Sequence, residues 1–464
     1  LISNDPDEFE SDISLYGRSS GRPIAIPANI PYSFMDNDGD LVHITIINGQ
    51  GVLYLEGGER DNADISVLEV SGTTASSVVS ISTTGKTKLG SIHVDNKAGN
   101  GTASLSSIIA PGVTLEKEIF VEGSLGMLMI GDIVPDNSGI GASYITVNEP
   151  SWRPMTILAG NVGDNVYFDL TGELQTFQAK SFNSGILHAR KMNMVQIYAG
   201  DLGADLISDG VGSGSINNVM VNGDITGNIR ALSNIGMISS LSGAIDDNYI
   251  IAGDASLLPQ GASEANLAGN INYIYARDGI SGTVLALDNI NSLNMPSGSF
   301  SGTVRAENIR SLNAACLDNA LISVSGSIGT AYIRTDVIGS HILAGYDIGM
   351  DGRPGPGDIG VVKGDMNLFW FGGDFRESYV ALGVMTDPIY QSLLGYQMSG
   401  PPETSHLPAH TTIFGGKVVT QPGQPSFGIY YDSHSGSDLN TNLLDTNPND
   451  SFEIKATIYD VWAY

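Results

Sequence analysis

Short apolar segments separated by Gly, Asn, Ser and Asp run along almost the whole chain. Within each segment apolar residues alternate with small or polar ones, the two-residue period of a half-buried strand. Helix-period stretches are scarce. The segments also recur. Asn270-Ile271-Asn272-Tyr273-Ile274 returns as Asn289-Ile290-Asn291-Ser292-Leu293, then as Asn308-Ile309-Arg310-Ser311-Leu312 and Ser327-Ile328-Gly329-Thr330-Ala331, so that Ile271, Ile290, Ile309 and Ile328 lie 19 residues apart. A second landmark sits between these copies: Ile280-Ser281-Gly282-Thr283-Val284 matches Phe300-Ser301-Gly302-Thr303-Val304 and, upstream, Ile225-Thr226-Gly227-Asn228-Ile229. Ile216 and Ile235 continue the first landmark backward, again 19 apart. Asn193-Met194-Val195-Gln196-Ile197-Tyr198-Ala199 aligns with Asn270 to Ala276, and Leu174, Leu125 and Leu89 fit more loosely.

A period of 19 leaves room for three strands and three turns per coil. One such coil cannot bury its own apolar face, whereas a stack can. A leucine-rich repeat has a similar length but needs helical segments where this chain carries Gly and Ser. The pattern therefore predicts an all-β, right-handed, three-sided parallel β-helix of about 19 residues per coil. Asn193, Asn234, Asn270, Asn289 and Asn308 are expected at one corner, hydrogen-bonded along the axis as a ladder.

The period is confined to residues 85–385. Residues 1–84 read as hairpin strands, an N-terminal β cap or small β-sandwich. Residues 386–464 read as a loop-rich C-terminal cap, an irregular β segment ending in the strand-like run Phe452–Tyr464. That run either caps its own helix or adds to a neighbour's sheet. Three insertions follow a shared string, Ile250-Ile251-Ala252-Gly253, Ile342-Leu343-Ala344-Gly345 and Val380-Ala381-Leu382-Gly383, and all three are expected to leave the coil at the same corner.

Composition sharpens this picture. With 58 Gly in 464 residues and 41% apolar residues, the chain is turn-rich yet has enough for a core. Its net charge of −29 argues against nucleic acid and anionic membranes and favours divalent cations. The single cysteine, Cys316, allows no internal disulfide and reads as a small buried hydrophobe. No apolar run has the length of a transmembrane segment. The opening Leu1-Ile2-Ser3-Asn4-Asp5 is polar, so a secreted protein would already have lost its signal peptide.

Candidate chemistry is sparse. Asp36, Asp38 and Asp40 surround a Gly turn in Asp36-Asn37-Asp38-Gly39-Asp40, an oxygen-rich cluster suited to Ca2+ or to an Asx-rich hairpin turn. Asp347, Asp351 and Asp358 form a second candidate calcium cluster, and Asp445 to Asp450 a weaker third. His406 and His410 lie four apart near Glu403, but Pro408 between them argues against the helix that zinc would need. His188, Arg190 and Lys191 are a small basic group able to face an acidic sugar. Phe369-Trp370-Phe371 reads as core of the last coils or as a sugar-stacking platform.

The Asp-rich turn within Met35-Asp36-Asn37-Asp38-Gly39-Asp40-Leu41-Val42-His43-Ile44, the coils, and Ser340-His341-Ile342-Leu343-Ala344-Gly345-Tyr346-Asp347 together resemble large secreted bacterial surface and adhesin-like repeat proteins. The resemblance implies an extracellular or cell-surface location, bound calcium and a scaffold or adhesive role, and it transfers no catalytic residues. Pectate-lyase-like β-helices share the architecture but rely on a carboxylate–calcium cluster with basic residues on one sheet, which the sequence does not display. The expected function is that of a non-enzymatic structural subunit that self-associates, with the Phe452–Tyr464 strand as one contact. The alternatives are a glycan-binding adhesin shaft and a polysaccharide lyase or hydrolase.

Overall fold

The computed structural model describes residues 22–58, 61–96, 102–135, 141–148, 154–260, 267–352, 359–360, 366–376 and 378–382, together with strands at 410–419, 428–431 and 451–459. It is all-β, and its parallel coils stack as a β-solenoid. Among the described residues no helix is long and apolar enough to cross a membrane. Two compact units divide the chain, Leu1–Gly172 and Glu173–Tyr464.

The first unit opens with antiparallel pairing. Tyr32–Met35 and Leu41–Ile47 form a hairpin with Phe34 opposite Val42, and Gln50–Leu55 pairs with Ile65–Ser71 with Leu53 opposite Leu68. Leu41–Ile47 also pairs antiparallel with Val78–Thr83. Alternation sorts these strands: Val42, Ile44 and Ile46 point inward and are fully buried. Parallel stacking starts inside this cap, because Ile65–Ser71 and Val78–Thr83 each offer a second edge. Ile65–Ser71 carries Thr87–Val94, and Val78–Thr83 carries Leu105–Ala110. The inward column Leu68, Ile92, Ile119, Ile145 is spaced by 24, 27 and 26 residues, so the coils here are longer than 19. Leu89 and Leu125 lie on different columns: Leu89 is level with Leu115, and Leu125 with Leu105.

The second unit has three parallel ladders, one per side. The first runs through Ile216–Val221, Ile235–Ser240, Ile271–Ala276, Leu293–Phe300, Asn308–Asp318, Ile328–Ile333 and Met366–Arg376. Its pairing continues into His410–Val419 and Ser451–Tyr459. The second is a line of single bridges, Phe182, Leu202, Ile225, Ile245 and Ile280, which continues through Phe300, Leu317 and Val337. The third runs from Gly185–Met192 through Asp205–Ser208, Ile229–Ala231, Tyr249–Ala252, Thr283–Ala286, Thr303–Ala306, Leu321–Val324 and His341–Ala344 to Tyr379–Leu382. The 19-residue landmark is one inward column: Ile271, Ile290, Ile309 and Ile328 are stacked in register and at most 1% exposed. The Ser-Gly-Thr landmark is the turn between the second and third ladders. There a Cβ on Gly302 would collide with the carbonyl oxygen of Gly282 one coil below, so the close approach of two backbones demands glycine.

The asparagine ladder forms, with one correction. Asn270 Nδ2 donates to Asn234 Oδ1 (3.0 Å), Asn289 Nδ2 to Asn270 Oδ1 (3.1 Å) and Asn308 Nδ2 to Asn289 Oδ1 (2.9 Å). Asn193 belongs to another row: its Oδ1 accepts from Asn217 Nδ2 (2.8 Å), and its own Nδ2 donates to Gln175 (3.0 Å). The pairing of Val195 with Val219, then Ile238, then Ile274, puts the Asn193 string two residues out of the expected alignment. A shift of two keeps every side chain on its own face, so the hydrophobic pattern does not register it.

Candidate functional site

The third ladder positions the loops. Its inward residues Ile250, Val284, Val304, Ile322 and Ile342 are fully buried. The next residue in each strand points outward, giving the row Arg230, Ile251, Leu285, Arg305, Ser323, Leu343. On a bare coil such a row would meet water. Here Leu285, Ser323 and Leu343 are buried and Arg305 is only 7% exposed. The cover begins where the strands end, at Gly253 (φ 78°) and Gly345 (φ 88°), two residues whose left-handed backbone turns the chain off the coil. Ala252, Ala286, Ala344 and Leu382 lie on the same ladder, so the insertions after Gly253 and Gly345 leave at one corner, while the residues that follow Leu382 lie outside the described residues.

An arginine of the outward row pins each of the two described insertions. Arg305 grips Asp347 with both ends of its guanidinium, Nε to Oδ1 at 2.8 Å and Nη2 to Oδ2 at 2.6 Å. Its Nη1 donates to the carbonyls of Ala286 (2.7 Å) and Leu287 (3.0 Å). Burial alone would raise the Asp347 carboxyl, but hydrogen bonding and charge from Arg305, with the Gly349 N–H, hold it below the usual carboxylate range. Arg230 repeats the device. Its Nε donates to Asp254 Oδ2 (2.7 Å) and its Nη2 to Ser256 Oγ (2.5 Å), while Asp254 Oδ1 accepts from the N–H and hydroxyl of Ser256.

Between the pinned loops lies an open groove of about 620 Å³. Tyr249, Ile251, Leu287 and Met350 form its apolar part, and Arg230 and Asp254 its polar edge. Tyr249 is 44% exposed. Sequence reasoning located the loops but not these residues. The available signal was an arginine in Ile229-Arg230-Ala231 and Val304-Arg305-Ala306, where the sister strands carry Ile251, Leu285 and Leu343.

The acidic residues singled out in the sequence differ in burial and in partners. Asp36 is fully buried, and its Oδ1 accepts the N–H groups of Asp38 (3.0 Å) and Asp40 (2.8 Å). Its Oδ2 is buried and has no hydrogen-bonding partner among the described residues. Asp40 turns to Thr84, whose hydroxyl donates to Oδ1 (3.2 Å), and Asp38 is exposed. Asp61 and Asp64 lie close by, since Met35 N donates to Asp61 Oδ1 (2.6 Å) and Asn37 Nδ2 to Asp64 Oδ2 (3.2 Å). Burial first, then the charges of Asp64 and Glu116, push Glu56 above its ordinary value, a sign of local negative potential. In the second cluster both oxygens of Asp347 are committed to Arg305, Asp351 is exposed, and Asp358 lies outside the described residues. Among the described residues no three His, Cys, Asp or Glu side chains are grouped to hold a metal ion.

In the small basic group, His188 Nε2 lies 3.0 Å from Asp209 Oδ2. Phe369 and Phe371 are core, whereas Trp370 points outward and stacks on Tyr332 one coil away, with centroids 4.1 Å apart and planes 7° from parallel. Stacking along the axis occupies one face of each ring, so this pair reads as a rung of the shaft. Cys316 is half-buried rather than core, and burial first, then Asp336 and Asp318, push its thiol up. His406, Glu403 and the Asp445–Asp450 cluster lie outside the described residues, and His410 is described only as the start of a strand. Compared with protein-family models, curated proteins and solved structures, the chain matches none.

Proposed function

We propose that the chain is a non-enzymatic extracellular structural protein whose shafts associate with copies of themselves in a surface array or filament. One observation supports this reading. Ser451–Tyr459 pairs in parallel with His410–Val419 and carries the first ladder onward. Strands stacked in this way add further strands through backbone N–H and C=O groups, from another copy as well as from their own chain. Residues 460–464 of the Phe452–Tyr464 run lie outside the described residues. Sedimentation and electron imaging across a concentration series test the idea. Assemblies that grow with concentration and vanish when residues 451–464 are removed are expected; a strictly monomeric particle at high concentration, with and without calcium, sinks it.

Calcium belongs to the same reading, at the Asp36 turn. The orphaned, buried Asp36 Oδ2 and the surrounding carboxylates suit a hard cation with oxygen ligands. Melting should shift upward in Ca2+ relative to chelator, and Asp36→Asn should remove the shift.

The second reading is an adhesin shaft that binds glycans through the loop corner. The loop-bordered groove favours it. Its test is glycan binding that disappears when the insertions after Gly253 and Gly345 are shortened.

A further inference from the structure

We infer that the groove between the two pinned loops binds an uncharged pyranose saccharide, with Tyr249 as the stacking surface. This rests on the glycan-binding reading and narrows it to one site and one ligand class. The volume, about 620 Å³, lies in the range of small-ligand sites. Its lining is mixed: a half-exposed tyrosine with Ile251, Leu287 and Met350 gives apolar surface, and Arg230, Asp254 and Ser256 give polar groups. A pyranose is mixed as well, with an apolar C–H face and a rim of hydroxyls. Aromatic side chains with a polar tip suit such two-sided partners.

Electrostatics decide the charge of the ligand. Arg230 and Asp254 neutralise each other at 2.7 Å, and the remaining Asp254 oxygen is taken by Ser256. The groove therefore has no spare charge to pair with an ion. Around it lies a chain of net charge −29, which repels uronates, phosphates and sulfated sugars. A cationic ligand would need a carboxylate that is not already satisfied, and Asp254 is 6% exposed. A neutral ring escapes the cost of desolvating an ion, and its hydroxyls can donate to or accept from the polar groups of the groove.

Calorimetry of the full chain with short neutral gluco-, galacto- and manno-oligosaccharides tests this, with oligouronates as the charged comparison. Neutral saccharides should bind. Tyr249→Ala should weaken them by about tenfold or more, Tyr249→Phe should preserve them, and oligouronates should bind less well. If Tyr249→Ala does not fold, Tyr249→Leu keeps a larger apolar side chain there and removes the ring. Binding lost on loop shortening but unchanged in the Tyr249 variants leaves the adhesin reading standing and overturns this inference. No binding of any saccharide overturns both. Oligouronates that match the neutral sugars, or a groove that takes peptides instead, also overturn it.

Discussion

The coils from Asn270 to Gly345 and the loops at their third-ladder corner are held by opposite means. Inside the coils each contact is small and repeated: Ile on Ile, Asn on Asn, one rung after another. At the corner each loop carries one arginine–carboxylate pair whose arginine stands in an outward row of mostly apolar residues. A stack tolerates local variation because each rung leans on two neighbours. The loop after Gly345 has fewer holds, the Arg305–Asp347 pair, the buried Tyr346 and Ile348, and the Ser323 hydroxyl on the Tyr346 carbonyl, and the pair is the only ionic one among the described residues. Repeated contacts and singly placed ones are thus separated on the same few strands.

Damage to the pair should have the largest effect. Replacing Asp347 by Asn leaves the Arg305 guanidinium, 7% exposed, without a counter-charge, and removing one partner of a buried pair costs about 3–5 kcal/mol. Discounting for Asp347, whose side chain is 20% exposed, places the expected loss toward the lower end. Hydrogen exchange should show opening of residues 346–352 before the coils. Acid should do the same. The Asp347 carboxyl is held low in the folded state, so its stabilisation is complete above the unfolded value of about 4 and is lost as pH falls through the lower native value. A loop that stays protected in acid, or in Asp347→Asn, would show that the ion pair does not hold it.

Next comes the core. Ile290→Ala removes a fully buried side chain between Ile271 and Ile309 and should cost about 2–4 kcal/mol in denaturant unfolding. Unlike the loop variant, it should weaken protection across adjacent coils together, since the rungs on both sides lose a partner.

The contrast between coils and corner also explains what could be read in advance. Ile271, Ile290, Ile309 and Ile328 were legible because stacking repeats the same demand at a fixed interval. Leu89 and Leu125 were not, because coils in the first unit are longer and unequal, and equal-looking residues there sit on different ladders. The two-residue slip at Asn193 was invisible, since alternation is unchanged by an even shift. Asp347 was legible as important but not as a partner of Arg305, 42 residues away. Local composition marks the carboxylate, but Arg305 stands two coils earlier on the third ladder, and only the fold brings it near. Arg230 and Asp254 went unread for the same reason.

The smallest expected effects separate two kinds of asparagine rung. Asn270 Oδ1 accepts both the side-chain amide (3.1 Å) and the backbone N–H (3.3 Å) of Asn289, and both residues are half-buried. Asn270→Ala therefore strands a backbone donor as well as a side chain, and about 1–2 kcal/mol of lost stability is expected. Asn272 and Asn291 form a neighbouring rung of the same chemistry, with Asn291 Nδ2 on Asn272 Oδ1 at 2.9 Å, but both are exposed. Water can replace that bond, so Asn272→Ala should cost no more than about 0.5 kcal/mol. Unfolding of the two variants side by side measures the difference. Equal losses would mean that amide stacking itself stabilises the shaft. The expected inequality assigns the work to the corner, where the side chain replaces a hydrogen bond that the turning backbone cannot make for itself.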